Sequence, residues 1–223
     1  MKILTIETTG HFASVALAGN QIISDTDYSH LQEIIPMCQE ILLKENLTGK
    51  DLDAIAVSKG PGSFTGIRIG IATAKGLSQV WNKPIVAVPT LESFAYREGV
   101  SGIVVPVFDA RRSQVYAGIF KDKEVLLPAG AYDIEEFKEL LACHCEQGEA
   151  ISQCHCEQGE AIHFFGDGCE LIGQKSEGVQ EAKQVLTLAE KMFAEGQTET
   201  CYTVTPEYLR LAEAERKLLE RKG

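Results

Sequence analysis

The chain has 223 residues, 44% hydrophobic and 24% charged, a composition that excludes a disordered chain, a collagen-like fibre and a disulfide-stapled mini-protein. Its net charge of −11, from 21 basic and 32 acidic residues, argues against autonomous nucleic-acid binding, which requires clustered Lys and Arg. No apolar run approaches the roughly 18 residues of a membrane span, and Glu7 interrupts the first apolar stretch, so we expect a cytoplasmic protein without a secretory leader.

The N-terminal part of the chain predicts three strands followed by a helix. The runs Lys2 to Glu7 and His11 to Ala18 have the composition of strands, and Gly19-Asn20 is a two-residue hairpin signal. A third strand is expected from Gln21 to Tyr28. Apolar residues then recur at spacings of three and four from Leu31 to Leu42, which predicts an amphipathic helix.

Strands and helices alternate in the rest of the chain. Asp53 to Ser58 is a short apolar strand, a glycine-rich segment breaks it, and a helix is expected from about Thr65 to Trp81. Glycine and alanine leave one side of this helix nearly bare, which indicates a close packing partner. The remaining predicted elements are strands at Pro84–Val88, Gly102–Phe108, Gln114–Phe120 and His163–Phe165, helices at Thr90–Arg97, Ile134–Ala142 and Leu186–Ala194, and a closing segment at Pro206–Lys217.

This order of elements predicts an α/β fold in which helices pack on mixed sheets. A change of composition between Arg97 and Gly102 predicts a boundary between an N-terminal unit, residues 1–100, and a smaller C-terminal unit, residues 101–223.

An identical nine-residue sequence, CHCEQGEAI, begins at Cys143 and again at Cys154. We interpret residues 143–162 as a tandem duplication inserted into a loop of the C-terminal unit. Cys145 and Cys156 complete a set of four thiols that could bind zinc, but structural zinc sites prefer two to four residues between paired cysteines and here there is one. We therefore expect no metal site, and we expect reduced cysteines because no export signal is present.

The most distinctive segment is GPGSFTGIRIG, residues 60–70, between a predicted strand and a predicted helix. Such a turn can direct backbone N–H groups and a helix N-terminus toward an anion. It matches neither the Walker A loop nor Gly-x-Gly-x-x-Gly, and the alternative is a tight turn that packs closely on its neighbours.

Two polar segments leave their roles open. Glu7-Thr8-Thr9, at the end of the first strand, could place a carboxylate near magnesium and hydroxyls near phosphate, or could form a polar hairpin turn. Asp109 and Arg111, in a segment between two strands, could bind a phosphate or form a charged turn. The chain has neither His-x-x-x-His nor Gly-x-Ser-x-Gly, so we predict no catalytic residue.

Several segments together resemble one family. They are ILTIETT at residues 3–9, HLQEIIP at 30–36, DAIAVSKGPGSFTGIRIGIATAK at 53–75, FDARRSQVYA at 108–117 and PEYLR at 206–210. These segments closely resemble the bacterial TsaB family, also called YeaZ, over almost all of residues 1–120.

The resemblance implies the actin/sugar-kinase/heat-shock-chaperone (ASKHA) fold, with two lobes of mixed sheet and packed helices. It implies a non-catalytic scaffold and activator of the complex that adds threonylcarbamoyl to the adenosine next to the anticodon of ANN-reading tRNAs. The implied partners are the catalytic paralogue TsaD, the ATPase TsaE, a second copy of the chain in isolation, and tRNA only through the complex. The resemblance implies that the chain has no cofactor of its own and that ATP binds at the interface with its partners.

The resemblance also implies that the first two helices form the partner interface. Its candidate residues are His30, Ile34, Met37, Ile67, Gly70 and Ala74. Glu7 stands where many relatives carry Asp, and the repeat at 143–162 departs from the family pattern. The alternative function is an ATP-dependent small-molecule kinase or ATPase of the same fold, with Glu7, Thr8 and Thr9 on phosphate and Asp109 as base.

Overall fold

A computed structural model describes residues 1–25, 30–145 and 161–210 of the chain, with the backbone alone for His30, His144 and Cys145. Nine strands lie in these ranges: β1 (Ile3–Glu7), β2 (Ser14–Leu17), β3 (Asn20–Ile23), β4 (Ala54–Gly60), β5 (Ile85–Pro89), β6 (Ile103–Arg111), β7 (Gln114–Lys121), β8 (Glu124–Asp133) and β9 (Ile162–Phe165). Five α-helices accompany them: α1 (His30–Lys44), α2 (Phe64–Trp81), α3 (Thr90–Ser93), α4 (Ile134–Cys145) and α5 (Ala182–Ala194).

The first sheet has the strand order β3-β2-β1-β4-β5. Strands β1, β2 and β3 pair antiparallel, while β4 pairs parallel with both β1 and β5. The central strands are buried on both faces, which explains their nearly continuous apolar runs. Helices α1 and α2 cover one face and α5 covers the other, as the two apolar clusters around this sheet show.

The second sheet has the strand order β8-β7-β6-β9, with β6 and β9 parallel, and α4 packs on one of its faces. The two sheets share an apolar cluster. Phe94, in the connection after α3, lies edge-on to Phe108 of β6 at a centroid distance of 5.7 Å and stacks on Phe165 of β9 at 5.5 Å. The predicted α/β class with mixed sheets and packed helices is confirmed.

Strand β8 is absent from the prediction because Pro128 and Gly130 interrupt its pattern. The strand lies at the edge of its sheet, where a proline is tolerated because one side of the strand needs no ladder hydrogen bond. The Pro128 carbonyl accepts a hydrogen bond of 2.8 Å from the Tyr132 hydroxyl, and the pairing with β7 shifts register in this region.

Other element boundaries differ from the prediction by a few residues. The hairpin turn is Ala18-Gly19, with φ of 51° and 84°, and the third strand ends at Ile23, while residues 26–29 lie outside the described ranges. Helix α5 begins at Ala182 and packs on the first sheet, although it follows β9 in the chain. The division into residues 1–100 and 101–223 stays a prediction. We find no helix in the described ranges with the length and apolarity that crossing a bilayer requires.

Candidate functional site

A cleft of about 300 Å³ lies between the two sheets. It opens where the parallel strands β1 and β4 of the first sheet and the parallel strands β6 and β9 of the second sheet end, the edge at which α/β folds commonly bind ligands. Thr9 and Ser63 line it on the side of the first sheet, and Asp109, Tyr116 and Asp167 line it on the side of the second. Gln180, just before α5, also lines it.

Glu7 lies at the end of β1 and is fully buried. Its Oε1 accepts hydrogen bonds from the backbone N–H and the hydroxyl of Thr9, the latter at 2.5 Å. Its Oε2 accepts from the hydroxyl of Ser58 and, at 3.2 Å, from Nε2 of Gln180. Both carboxylate oxygens are therefore engaged by neutral donors of this chain, and Glu7 is not among the residues that line the cleft.

The glycine-rich segment packs directly on the turn after β1. Thr8 donates a 2.8 Å hydrogen bond from Oγ1 to the Gly66 carbonyl, and a Cβ on Gly66 would lie 1.9 Å from the Thr8 carbonyl oxygen. Gly62 has φ +153°, and its Cβ would lie 2.7 Å from Cβ of Thr9. Contact between the two turns therefore requires glycine at positions 62 and 66. Thr8 is buried beneath the glycine-rich turn.

Ser63 begins helix α2. Its Oγ accepts a 3.2 Å hydrogen bond from the Gly66 N–H, which is an N-cap, and its own N–H donates to the Thr9 carbonyl at 2.8 Å. The N–H groups of Ser63 and Gly66 are thus directed at atoms of the chain. Of the interpretations left open for residues 60–70, the geometry favours the tight, closely packed turn.

Asp109 and Arg111 reach the cleft from the end of β6, so their predicted place in a segment between two strands is wrong. They form an ion pair of 2.9 Å, and Asp109 Oδ1 also accepts the backbone N–H of Arg111 at 2.6 Å. The Arg111 side chain is 82% exposed, so the pair contributes little to stability. Of the five candidate nucleotide residues, the fold brings Thr9, Asp109 and Arg111 to one cleft and buries Glu7 and Thr8 behind it.

Sequence reasoning missed His11, Asp167 and Gln180. Nε2 of His11 lies 3.3 Å from Oδ2 of Asp167, which joins the turn after β1 to the loop after β9. Oδ1 of Asp167 accepts the backbone N–H of Asp109 at 3.1 Å. The Gly166-Asp167-Gly168 segment after a predicted strand was the only local signal for this loop. Deeper in the cleft, burial raises the pKa of the Tyr116 phenol, and the nearby Arg210 guanidinium partly opposes the rise.

Five of the six candidate interface residues are buried inside the chain. Ile34 and Met37 of α1 and Ile67 and Ala74 of α2 are buried in the cluster against the first sheet. Gly70 is buried with them, and its Cβ would lie 2.4 Å from Thr8 Oγ1. These five residues thus pack within the chain, and their assignment to a partner interface stays a prediction. His30 is the first residue of α1, and its side chain lies outside the described part.

The opposite faces of the same helices expose large apolar side chains. They are Leu31, Ile35 and Leu43 on α1, and Phe64 and Val80 on α2. Ala72 and Gly76 of α2 are exposed as well, and a Cβ on Gly76 would meet no atom within 4 Å. These residues form the outer face of the α1–α2 pair.

The four repeat cysteines lie mostly outside the described residues. Cys143 is exposed in the last turn of α4, whereas the side chain of Cys145 and the whole of Cys154 and Cys156 are not described. In the part of the chain that the structure describes, no three His, Cys, Asp or Glu side chains are grouped to hold a metal ion. The expectation that the repeat holds no metal stays a prediction.

Comparisons with known proteins agree with one another. A sequence model of the family described as "TsaD: tRNA N6-adenosine threonylcarbamoyltransferase" matches residues 23–218. The chain is 30% identical to the tRNA threonylcarbamoyladenosine biosynthesis protein TsaB of Bacillus subtilis, over 99% of each chain. It is 32% identical to the protein of that name from Escherichia coli, over 98% of each. Its fold is similar to the structure of YeaZ from Pseudomonas aeruginosa, with a TM-score of 0.68, 26% identity, and coverage of 93% of this chain and 99% of that one.

Proposed function

The chain belongs to the TsaB (YeaZ) family, and from that premise we propose that it works in tRNA threonylcarbamoyladenosine biosynthesis as a non-catalytic subunit that binds and activates a TsaD-type paralogue. Its two mixed sheets with packed helices have the ASKHA-type fold that the resemblance implies. In this proposal TsaE and ATP act in the assembled complex, with ATP at its interfaces, and the transfer chemistry belongs to the paralogue.

The observation that carries the non-catalytic role is the packing around Glu7. In a nucleotide-binding site, the carboxylate at the end of the first strand would face a metal and the next turn would face phosphate. Here Ser58, Thr9 and Gln180 donate to both oxygens of Glu7. The glycine-rich turn occupies the space above Thr8. A metal could reach Glu7, and a phosphate could reach Thr8, only after this packing was broken.

The outer face of the α1–α2 pair supports a role in assembly. Leu31 and Leu43 of α1 are 73% and 75% exposed, and Val80 of α2 is 78% exposed. The two helices contact each other. Clustered exposed apolar side chains are typical of protein–protein contact surfaces. The small side chains of Ala72 and Gly76 on the same face would let a partner helix approach closely. A paralogue, or in isolation a second copy of the chain, would cover this face.

The charge of the chain supports indirect contact with tRNA. With 32 acidic and 21 basic residues, its net charge of −11 disfavours contact with a phosphate backbone. The proposal therefore assigns the tRNA-binding surface to the complex.

One observation favours a second candidate, an ATP-dependent kinase or ATPase of the same fold. Thr9, Asp109 and Arg111 line a cleft of about 300 Å³, and the exposed guanidinium of Arg111 could bind phosphate. In this function Asp109 would be the general base.

The test is reconstitution of threonylcarbamoyl transfer to tRNA with the paralogue and TsaE from the same organism. We expect transfer to require this chain and to be lost in Ala72→Arg, which places a charged side chain on the outer face of α2. Val125→Arg, a similar change at an exposed position of β8, is the matched control and should support wild-type transfer. Transfer at the wild-type rate with Ala72→Arg would contradict the interface, and nucleotide hydrolysis by the chain alone would favour the second candidate.

A further inference from the structure

The chain from Val204 to Arg210, here called the C-terminal strap, runs from the first sheet to the second beside the cleft. At its start, Val204 is fully buried in the cluster between the first sheet and helices α1 and α2. The Glu207 N–H donates to the Lys59 carbonyl of β4 at 2.8 Å, and the two side chains form an ion pair of 3.0 Å. The strap is therefore fixed to the first sheet by apolar and polar contacts.

The strap passes closely over the glycine-rich turn. Gly60 has φ +117°, and its Cβ would lie 2.5 Å from the carbonyl oxygen of Glu207. Only glycine allows two backbones to approach in this way. The strap therefore cannot come closer to the turn that begins at Gly60 unless that turn moves as well.

The strap next contacts the start of α2. Tyr208 accepts a 2.9 Å hydrogen bond on its hydroxyl from Nε of Arg68, and its ring lies 5.3 Å from that of Phe64. The Arg68 guanidinium also lies 3.9 Å from the centre of the Phe64 ring, a cation–π contact. Phe64 and Tyr208 remain 55% and 44% exposed, so a molecule bound to the outer face of α2 could touch both.

The strap then reaches the second sheet. Nη1 of Arg210 donates a 2.9 Å hydrogen bond to the Ala110 carbonyl of β6. One residue separates Arg210 from Tyr208, so the two Cα atoms can be at most about 7 Å apart. Tyr208 at α2 is therefore joined to Arg210 by a short stretch of backbone, and the hydrogen bond from Arg210 to Ala110 joins that stretch to β6.

We propose that the C-terminal strap couples the exposed start of α2 to the second sheet, so that a protein bound to the outer face of α2 changes the position of β6 across the cleft. The partner in this proposal rests on the proposed function, whereas the mechanical coupling does not. Tyr208 and Arg210 are its two positioning residues, one at each end of the coupled segment.

Hydrogen exchange measured on the full chain alone tests the coupling. Tyr208→Ala removes the contacts with Phe64 and Arg68 but leaves Arg210 in place. We expect exchange in the peptide that covers Asp109 to Ser113 to become about tenfold faster, the effect of losing about 1.4 kcal/mol of local stability. Tyr202→Ala, at an 82% exposed position just before the strap, is the matched control and should leave that peptide unchanged. Unchanged exchange of this β6 peptide in Tyr208→Ala would overturn the coupling.

A second arm adds the paralogue to the wild-type chain and to Arg210→Ala. In the wild type we expect slower exchange both in α2 and in the β6 peptide, and in Arg210→Ala slower exchange in α2 alone. Equal slowing of the β6 peptide in both proteins would show that the strap is not the route. If α2 is not slowed in the wild type, the proposed function fails, and the comparison of Tyr208→Ala with Tyr202→Ala still decides the coupling.

Discussion

Nε2 of Gln180 lies 3.2 Å from Oε2 of Glu7, although the two residues are 173 positions apart in the chain. The same Nε2 lies 3.1 Å from Oγ of Ser93, and Oε1 of Gln180 accepts a 2.7 Å hydrogen bond from Gln184. The network continues to Arg97, whose Nη1 donates to Gln184 at 3.1 Å. It ties the end of β1 to the segment that starts α5 and to the connection between the sheets, so Glu7 is a structural residue of this fold.

The first prediction follows from these contacts. Glu7→Ala leaves the hydroxyl of Ser58 and one N–H of Gln180 buried without an acceptor, and we expect the free energy of unfolding to fall by about 3 kcal/mol. Glu7→Gln should also destabilise the protein. It replaces one of the two acceptor oxygens with an NH₂ group, which would face hydrogen-bond donors. Urea unfolding measures both. Glu40→Ala, which breaks an exposed pair with Lys44, is the control and should change stability by less than about 0.5 kcal/mol. An unfolding midpoint of Glu7→Ala equal to that of the wild type would refute the structural role.

The second prediction contrasts two glycines of α2. A Cβ on Gly66 would lie 1.9 Å from the Thr8 carbonyl oxygen, a backbone atom that cannot move aside, and we expect Gly66→Ala to destabilise the protein by about 2 kcal/mol or more. Gly76 has open space around its Cβ position, so Gly76→Ala should stabilise it by up to about 1 kcal/mol through helix propensity. Thermal unfolding of both variants checks the contrast, and the same sign of effect at both sites would contradict it.

These glycines show what the sequence could and could not predict about the site. The pattern of residues 53–81 predicts a strand, a turn and a helix with a bare side, and all three elements are present. Gly66, Gly70 and Ala74 are buried on the inner side of this helix, whereas Ala72 and Gly76 are exposed. What fills the bare side depends on contacts with Thr8, about sixty residues away, which spacing does not encode. Apolar periodicity likewise locates the buried stripe of α1, but the residues it selects, such as Ile34, face the chain's own sheet. The face left for a partner is found only once the fold is known.

The start of α5 depends on a distant contact in the same way. The sequence predicts a helix from Leu186, but the helix begins at Ala182, whose N–H donates a 2.9 Å hydrogen bond to Oγ of Ser14 in β2. The N-cap residue Glu181 provides no side-chain cap, so a serine from another strand satisfies the helix start. No local signal could have placed this boundary.

The third prediction uses that contact. Ser14→Ala leaves a buried amide at the start of α5 without an acceptor, and we expect a loss of about 1 to 2 kcal/mol of stability. Ser101→Ala, at an exposed position between the sheets, should have an effect close to zero. Equal stability of the two variants in urea would mean that Ser14 does not cap the helix.

The fourth prediction concerns the cysteines. Burial raises the pKa of the Cys38 and Cys169 thiols to about 12. The thiolate is the reactive form, and a thiol of this pKa is ionised to about one part in ten thousand at pH 8. Iodoacetamide at pH 8 should therefore modify the exposed Cys143 in the native protein and spare the two buried cysteines, as peptide mass spectrometry would show. In urea, Cys38, Cys143 and Cys169 should all react. If Cys38 of the native protein were modified as fast as Cys143, the burial of Cys38 would be contradicted.

The central claim is that the chain acts by binding a paralogue through the outer face of α1 and α2. Light scattering on a size-exclusion column, with the chain alone and mixed with its TsaD-type paralogue, tests that claim most directly. We predict a one-to-one complex with the paralogue, formed by Val125→Arg but not by Ala72→Arg. A chain that elutes unchanged in the presence of the paralogue would contradict the account.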